Sequence, residues 1–165
     1  ETDFRDADDL YGRTKALGEL ENEKDLTIRT SIVGPELKEQ GEGLLHWFLN
    51  QTGEVNGFTK ALWGGVTTLE LSKAIAILLQ QPLSGIIHLT NGKAISKFDL
   101  LNLFSESFPQ LGIKVNAVYG KPVDKSLSSI RNDISFSVSS YSQMVAEMKD
   151  FIRRHESIYE KLYKI

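Results

Sequence analysis

The spacing of apolar and polar positions along the chain predicts five helices. Apolar side chains return every three or four residues, as on one face of a helix. Asp8 or Asp9 can cap the first helix, and Ser96 caps the fourth, where Asp99 comes close to completing a capping box. Pro82 ends the third helix. The predicted helical segments are 6–23, 41–51, 68–82, 96–109 and 140–163.

Runs of β-branched and apolar residues predict short strands between these helices. The segment 25–36 is one such run and is stopped by Gly34 and Pro35. A second run at 57–68 is interrupted by two glycines, and a third at 85–92 enters an Asn-Gly turn. Residues 114–120 form a further candidate strand, whereas the polar segment 121–140 is predicted to be a long loop that lies across another part of the protein.

Helices and strands therefore alternate along the chain, which is typical of an α/β fold with right-handed crossovers. Two or three short strands make a thin sheet for four or five helices. This deficit, with a start at "ETDF" that lacks methionine, leads us to expect the C-terminal portion of a longer protein.

Composition excludes several kinds of site. The chain has 165 residues, of which 41% are hydrophobic and 25% are charged, as in an ordinary globular domain. Cysteine is absent, which excludes disulfides, thiolate metal sites and cysteine nucleophiles. His46, His88 and His155 are far apart in sequence, so we expect packing or surface roles and no metal site.

Charge and hydropathy argue against two classes of partner. The net charge of −3 and the absence of a basic block predict no nucleic-acid partner. No apolar run approaches the roughly 18 residues of a membrane span, so no membrane partner is expected. An anionic ligand would have to be held by a few local cations.

The segment "YGRTKALGE" at 11–19 carries the candidate chemistry. Tyr11 and Lys15 are four residues apart and therefore lie on one face of a helix. An ammonium beside a phenol favours the phenolate, which makes the phenol a usable proton donor and acceptor near neutral pH. The alternative is a solvated helix face that carries an ordinary lysine.

Together with its neighbours, this segment resembles the extended short-chain dehydrogenase/reductase family, and most closely its dTDP-4-dehydrorhamnose reductase branch. "YGRTKALGE" resembles the family's Tyr-x-x-x-Lys helix, and the preceding "ETD" resembles the acidic stretch before it. "LTIRTSIVGPE", "GGVTTLELSKAIAILL" and "GIIHLTNG" resemble later segments of that family, in the same order. The resemblance covers nearly the whole chain.

The resemblance implies an NAD(P)-dependent reductase that acts on a nucleotide sugar. Tyr11 would give a proton to a substrate ketone oxygen during hydride transfer from NADPH or NADH. Lys15 would hold the nicotinamide ribose hydroxyls, and Thr30 and Ser31, with the loop to Pro35, would border the nicotinamide. The residues that distinguish NADP from NAD are expected upstream of residue 1, as are the Gly-rich dinucleotide turn and the catalytic Ser or Thr.

The resemblance also implies three substrate-binding residues. Arg131 resembles an arginine that clamps the nucleotide diphosphate, with an ion pair to Asp133 as the alternative. Ile32 stands where the rhamnose-type reductases have an indole facing the sugar, and Val66 replaces the proline of a Gly-x-Pro-Thr segment. Trp63 offers an aromatic face to a base or sugar, or is an ordinary core tryptophan. Which nucleotide sugar is bound is therefore left open.

The expected architecture is an incomplete Rossmann-like fold plus a small α/β substrate-binding region. Residues 1–35 would end the dinucleotide-binding domain, and residues 36–165 would be mainly substrate-binding, with a strand near 86–91 returning to the main sheet. The parent enzyme is expected to be cytoplasmic, and this chain alone is expected to be inactive.

Two other functions remain open at this point. An epimerase or dehydratase of the same family would use the same tyrosine and lysine, and a non-catalytic regulatory or binding module would use neither for chemistry. A homodimer is expected, either through the helix that bears Tyr11 and Lys15, with Leu17 and Leu20 at its outer positions, or through a sheet edge left by missing strands. A monomer is the alternative.

Overall fold

A computed structural model describes residues 1–5 and 7–164 of the chain. Within this part the chain forms six α-helices, one 3₁₀ helix and nine short strands. The helices are α1 (Leu10–Leu17), α2 (Leu44–Leu49), α3 (Thr68–Leu78), α4 (Lys97–Ser107), α5 (Tyr141–Arg154) and α6 (Glu156–Tyr159), with the 3₁₀ helix at Pro109–Leu111. The strands are β1 (Leu26–Arg29), β2 (Ile32–Val33), β3 (Glu54–Phe58), β4 (Ala61–Trp63), β5 (Val66–Thr67), β6 (Gly85–His88), β7 (Ile95–Ser96), β8 (Lys114–Val118) and β9 (Val123–Lys125).

The strands form four small sheets, and most pairs are parallel. β1 pairs with β6, β2 with β5, and β3 with β8, each in parallel register. β4 lies between β7, to which it is antiparallel, and β9, to which it is parallel. Parallel partners that are distant in sequence require crossover connections, and α2 and α3 both lie in the connection from β1 to its partner β6. The predicted mixed α/β class is confirmed.

Hydrogen-bonding side chains begin the longer helices, and the cap predicted at Ser96 is confirmed. Ser96 Oγ accepts from the Asp99 amide at 3.0 Å and donates to the Asp99 carboxylate at 2.6 Å, which caps α4. Thr67 caps α3 by accepting from the amide of Glu70. These bonds satisfy amides that have no partner inside the helix.

Two apolar clusters form the core, and α5 joins them. Met148 and Ile152 of α5 pack in the first cluster with Phe48 of α2 and Phe104 of α4. Met144, one turn earlier in α5, packs in the second cluster with side chains from α3, β5 and β6. One face of α5 therefore packs against both apolar clusters.

The first predicted helix is much shorter in the structure. α1 spans only Leu10–Leu17 of the predicted segment 6–23, of which residue 6 lies outside the described residues. Gly18 closes its C-terminus, and no side chain of α1 is buried. Leu10, Leu17 and Leu20 were expected to make apolar contacts, but in the described chain all three side chains are more exposed than buried. Without packing, a helix extends only as far as its local caps support it.

The number of strands was also predicted wrongly. Two or three strands were expected, and the described residues contain nine. The segment 25–36 divides into β1 and β2 because these strands pair with different partners. The predicted loop 121–140 includes β9, whose three exposed residues pair with β4. Likewise, the last helix breaks at His155 into α5 and α6.

Candidate active site

Helix α1 presents Tyr11 and Lys15 together on its exposed face. Asp9 caps the helix by accepting from the Gly12 amide at 2.5 Å. Gly12 itself is needed for close packing, because an added Cβ would lie 2.5 Å from the Cβ of Ala7. Lys15 Nζ lies 5.4 Å from the centroid of the Tyr11 ring, and Tyr11 is 73% exposed. The phenol and the ammonium are therefore adjacent and accessible to a ligand.

The pair opens onto a surface cleft of about 1000 Å³. Its walls come from α1, from the chain between β1 and β2, and from β4 and β9. Six of the seven residues predicted from the sequence line this cleft: Tyr11, Lys15, Thr30, Ser31, Ile32 and Trp63. The tertiary structure thus brings together residues that are up to 52 positions apart in sequence.

Thr30 and Ser31, between β1 and β2, line the cleft and are fixed by hydrogen bonds. Thr30 Oγ1 donates to the Leu89 carbonyl at 2.9 Å, and the Ser31 carbonyl accepts from the Val66 amide at 2.9 Å. Gly65 allows this approach, because an added Cβ would lie 2.0 Å from the Ser31 carbonyl oxygen. The side chain of Ile32 is then left exposed beside Trp63 of β4 in the cleft wall.

Arg131 lies elsewhere. Its guanidinium donates to both carboxylate oxygens of Asp133, at 2.7 and 2.5 Å. It also donates to the backbone carbonyls of Ser84 and Ile86, at 3.0 and 3.2 Å. The structure therefore contains the ion pair that was the alternative for Arg131 and does not place Arg131 in the cleft wall. A role in binding a diphosphate remains a prediction.

Sequence reasoning did not identify three charged residues of the cleft: Glu19, Arg29 and Lys125. Arg29 donates to both oxygens of Glu19 at 2.7 and 2.8 Å, and Arg5 forms a further ion pair with Glu19. These bonds from Arg29, against the opposing effect of burial, lower the pKa of Glu19 to about 2, with Arg5 adding to the effect. The acid is thus fully charged at neutral pH and neutralised by its partners.

Lys15 and Lys125 give the cleft a positive character. In residues 1–5 and 7–164, neither ammonium is in an ion pair with an acidic side chain. The cleft therefore carries uncompensated positive charge on a chain whose net charge is −3. An anionic ligand is favoured locally despite the overall field. Lys125 could not be found from the sequence, because nothing in the polar segment 121–140 indicates which residues pair with β4.

A second cleft of about 920 Å³ lies between the 3₁₀ helix and α5. Acidic and basic side chains line it in equal number, and Tyr11 and Lys15 do not contribute to it. This second cleft therefore lacks both the exposed Tyr11–Lys15 pair and the excess positive charge of the first cleft.

Neither a metal site nor a membrane-spanning helix occurs among the described residues. In the part of the chain that the structure describes, no group of three or more His, Asp or Glu side chains is arranged to hold a metal ion. Within the same residues, no helix combines the length and the apolar character needed to cross a membrane.

Solved structures with the same fold are sugar-nucleotide enzymes. The dTDP-4-dehydrorhamnose reductase of Bacillus anthracis str. Ames, solved in complex with NADP, has a TM-score of 0.67 at 18% identity, covering 87% of this chain and 52% of that chain. A hypothetical dTDP-4-dehydrorhamnose reductase from Sulfolobus tokodaii has a TM-score of 0.62 at 28% identity, covering 86% and 55%. The UDP-N-acetylglucosamine 4-epimerase of Methanobrevibacter ruminantium M1, in complex with UDP-N-acetylmuramic acid, has a TM-score of 0.60 at 17% identity, covering 88% and 51%.

These likenesses confirm the predicted resemblance at the level of the fold. The chain spans about half the length of the solved structures that it matches. No protein-family model matches the sequence, and no curated protein matches it. The described chain is therefore a mixed α/β fold that matches part of the Rossmann-like fold of these enzymes.

Proposed function

We propose that this chain carries the catalytic helix and the substrate-binding region of an NAD(P)-dependent nucleotide-sugar reductase of the dTDP-4-dehydrorhamnose reductase type. The observation that carries the proposal is the position of Tyr11 and Lys15 at the mouth of one positively charged cleft. The similar folds of a dTDP-4-dehydrorhamnose reductase and of an epimerase support the same class of substrate.

Tyr11 is the proton donor in this proposal. Its hydroxyl is accessible from the cleft, and Lys15 stands one helical turn away on the same face. The ammonium stabilises the phenolate that remains after the proton has moved to the ketone oxygen of the substrate.

The cleft fits the nicotinamide riboside end of an NADP or NAD cofactor. In this proposal the ammonium of Lys15 donates to ribose hydroxyls, and Ser31 and Thr30 supply the neighbouring wall, where Thr30 is hydrogen-bonded to Leu89. When bound, the cofactor supplies the hydride. The sequence has no Gly-x-Gly-x-x-Gly turn, so this chain contains no such cradle for the cofactor's pyrophosphate.

Ile32 and Trp63 form the proposed contact surface for the sugar or base. Ile32 is exposed in the cleft, and Trp63 is half-buried against Tyr141, with ring centroids 5.8 Å apart. Arg131 is retained as a candidate for the diphosphate, which would require its present bonds to Asp133 to be exchanged. On this proposal residues 1–35 belong with the dinucleotide-binding domain and residues 36–165 with the substrate-binding region.

Turnover stoichiometry separates this proposal from its alternatives. We expect the enzyme that contains this chain to oxidise one NAD(P)H for each molecule of a nucleotide 4-keto-sugar that it reduces. Turnover without net consumption of NAD(P)H would indicate an epimerase or dehydratase instead. Binding of the nucleotide sugar with no turnover would indicate a regulatory or binding module.

The 165-residue chain by itself is expected to bind NADPH poorly, because its sequence has no Gly-rich turn for the pyrophosphate. We expect a fluorescence titration of this chain with NADPH to show no saturation in the micromolar range. Micromolar binding would contradict this expectation and would mean that other residues of the chain hold the pyrophosphate.

A further inference from the structure

The segment after β9, residues 126–131, begins at the cleft and is here named the wall loop. Leu127, near its start, lines the cleft, as does Lys125, the last residue of β9. Gly64 lets the wall loop pack closely on the chain after β4, because an added Cβ would lie 2.9 Å from the Leu127 amide nitrogen. The position of Leu127 therefore depends on where the wall loop is held, whereas Lys125 is held by the pairing of β9 with β4.

The carboxylate of Glu1 holds the other end of the wall loop. Its Oε1 accepts from the Ser129 hydroxyl at 2.7 Å and from the His88 amide at 2.8 Å. Its Oε2 accepts from the Ile130 amide at 2.9 Å. One carboxylate thus joins two residues of the wall loop to the last residue of β6.

His88 adds a second bond across the same junction. Its Nδ1 lies 2.7 Å from the Ser128 carbonyl, and its Nε2 lies 3.3 Å from a guanidinium nitrogen of Arg29. A guanidinium can only donate, so Nε2 accepts and Nδ1 carries the proton that is donated to Ser128. Arg29 is itself a residue of the cleft, which connects the anchoring of the wall loop to the site.

The Glu1 carboxylate is charged under any ordinary condition. Burial acts to raise its pKa, but the hydrogen bonds from Ile130, Ser129 and His88 outweigh that effect and lower the pKa of Glu1 to about 2. Hydrogen bonds to a charged acceptor are stronger than neutral ones, and each of these three amide or hydroxyl donors would lose its partner if the carboxylate were removed.

We propose that Glu1 is a positioning residue that fixes the wall loop, and through it Leu127, in the wall of the cleft where Lys125 of β9 offers positive charge to the nucleotide diphosphate of the substrate. This inference rests on the proposed nucleotide-sugar function for the identity of the ligand, but the anchoring of the wall loop does not depend on it. Glu1 acts only through the loop and contacts none of the reacting atoms.

The test replaces Glu1 by glutamine, which keeps the shape of the side chain. Its NH₂ group would then face one of the groups that now donate to Glu1, in the wall loop or at His88. We expect hydrogen exchange at the Ile130 and His88 amides to accelerate by about tenfold or more, whereas the Thr59 amide, bonded to Val118, stays unchanged. In the whole enzyme, KM for the nucleotide sugar and the Kd for dTDP should rise by about tenfold, with kcat within about twofold of the original.

Glu54→Gln is the matched control, because Glu54 also accepts two side-chain hydrogen bonds but lies on β3 away from the wall loop. It should leave exchange at Ile130 and KM unchanged. Unchanged exchange in Glu1→Gln would overturn the anchoring, whatever dTDP does. Faster exchange with unaltered dTDP affinity and KM would overturn the link to the cleft. If the unmodified enzyme bound neither dTDP nor UDP, the nucleotide-sugar function would fall, while the exchange data would still decide the anchor.

Discussion

Two lysine–tyrosine pairs in this protein have nearly the same local geometry. Lys15 Nζ lies 5.4 Å from the Tyr11 ring centroid, and Lys60 Nζ lies 5.5 Å from the Tyr119 ring centroid. Both tyrosines are largely exposed, at 73% and 67%. Judged by distance and exposure alone, either pair could be the proton-transfer pair.

Their surroundings differ. Tyr11 and Lys15 stand on one helix face and share a cleft with Ser31, Trp63 and Lys125. Tyr119 follows β8, and Lys60 joins β3 to β4, so the second pair forms across two connections and does not line that cleft. A neighbouring ammonium is therefore a common surface arrangement, and the shared cleft is what makes one pair a candidate for catalysis.

The sharpest test of this comparison removes each phenol in turn. In the whole enzyme, Tyr11→Phe should lower kcat by about 100- to 10,000-fold, because it deletes the proton donor and keeps the ring. Nucleotide-sugar affinity should stay nearly constant. Steady-state NAD(P)H oxidation and dTDP titration give the two quantities.

Tyr119→Phe is the matched control and should change neither rate nor affinity. If the two variants behaved alike and turnover survived in both, the distinction between the pairs would fail. A non-catalytic binding module would then be the better account.

Removal of each ammonium should give the next largest difference. Lys15→Met should raise KM for the cofactor by roughly tenfold to 100-fold, since it deletes a charged hydrogen-bond donor, and should lower kcat as well. Lys60→Met is the same substitution at the second pair, and it should leave both the cofactor KM and kcat unchanged. A cofactor KM that is the same in both variants would contradict the role given to Lys15.

Two acids, Glu19 in the cleft of the first pair and Glu54 at the far end of β3 from the second pair, should respond differently to pH. The pKa of Glu19 is about 2 in the fold against an ordinary 4.5, so its stabilisation is complete above the ordinary value and is lost as pH falls from about 5 toward 2. Glu19→Gln should lower the free energy of unfolding by on the order of 1 kcal/mol at pH 7, and this difference should vanish near pH 2.

Glu54→Gln, at the start of β3 and outside that cleft, should cost less at neutral pH, because Glu54 is largely exposed. Urea unfolding at a series of pH values measures both effects. A Glu19→Gln difference that did not depend on pH would contradict the ion pair with Arg29 as its cause.

The smallest expected effect concerns self-association. Leu17, on the helix of the first pair, is 86% exposed, and Leu20 lies just beyond that helix. We propose a weak two-fold dimer through this surface. Light scattering should then show a mass that rises with concentration from 18.5 kDa, and Leu17→Lys should suppress the rise. A constant mass of the unmodified chain would favour the monomer.

The sequence predicted those parts of the fold that depend on neighbouring residues. The caps at Asp9 and Ser96, and the inner face of α5 through Met144, Val145 and Met148, follow from spacing within a few residues. The extent of α1 was wrong because side-chain spacing does not reveal whether a face has anything to pack against. In the described chain it has none, so Gly18 ends the helix.

The sequence by itself determined that Tyr11 and Lys15 lie together, because helical periodicity places residues i and i+4 on one face. Only the tertiary structure decided which cleft they enter. Ser31, Trp63 and Lys125 reach that cleft through parallel pairs whose partners are tens of residues apart, and no local pattern encodes such a pairing. The position of Arg131 was also decided by contacts that are distant in sequence, because its guanidinium donates to the backbone carbonyls of Ser84 and Ile86.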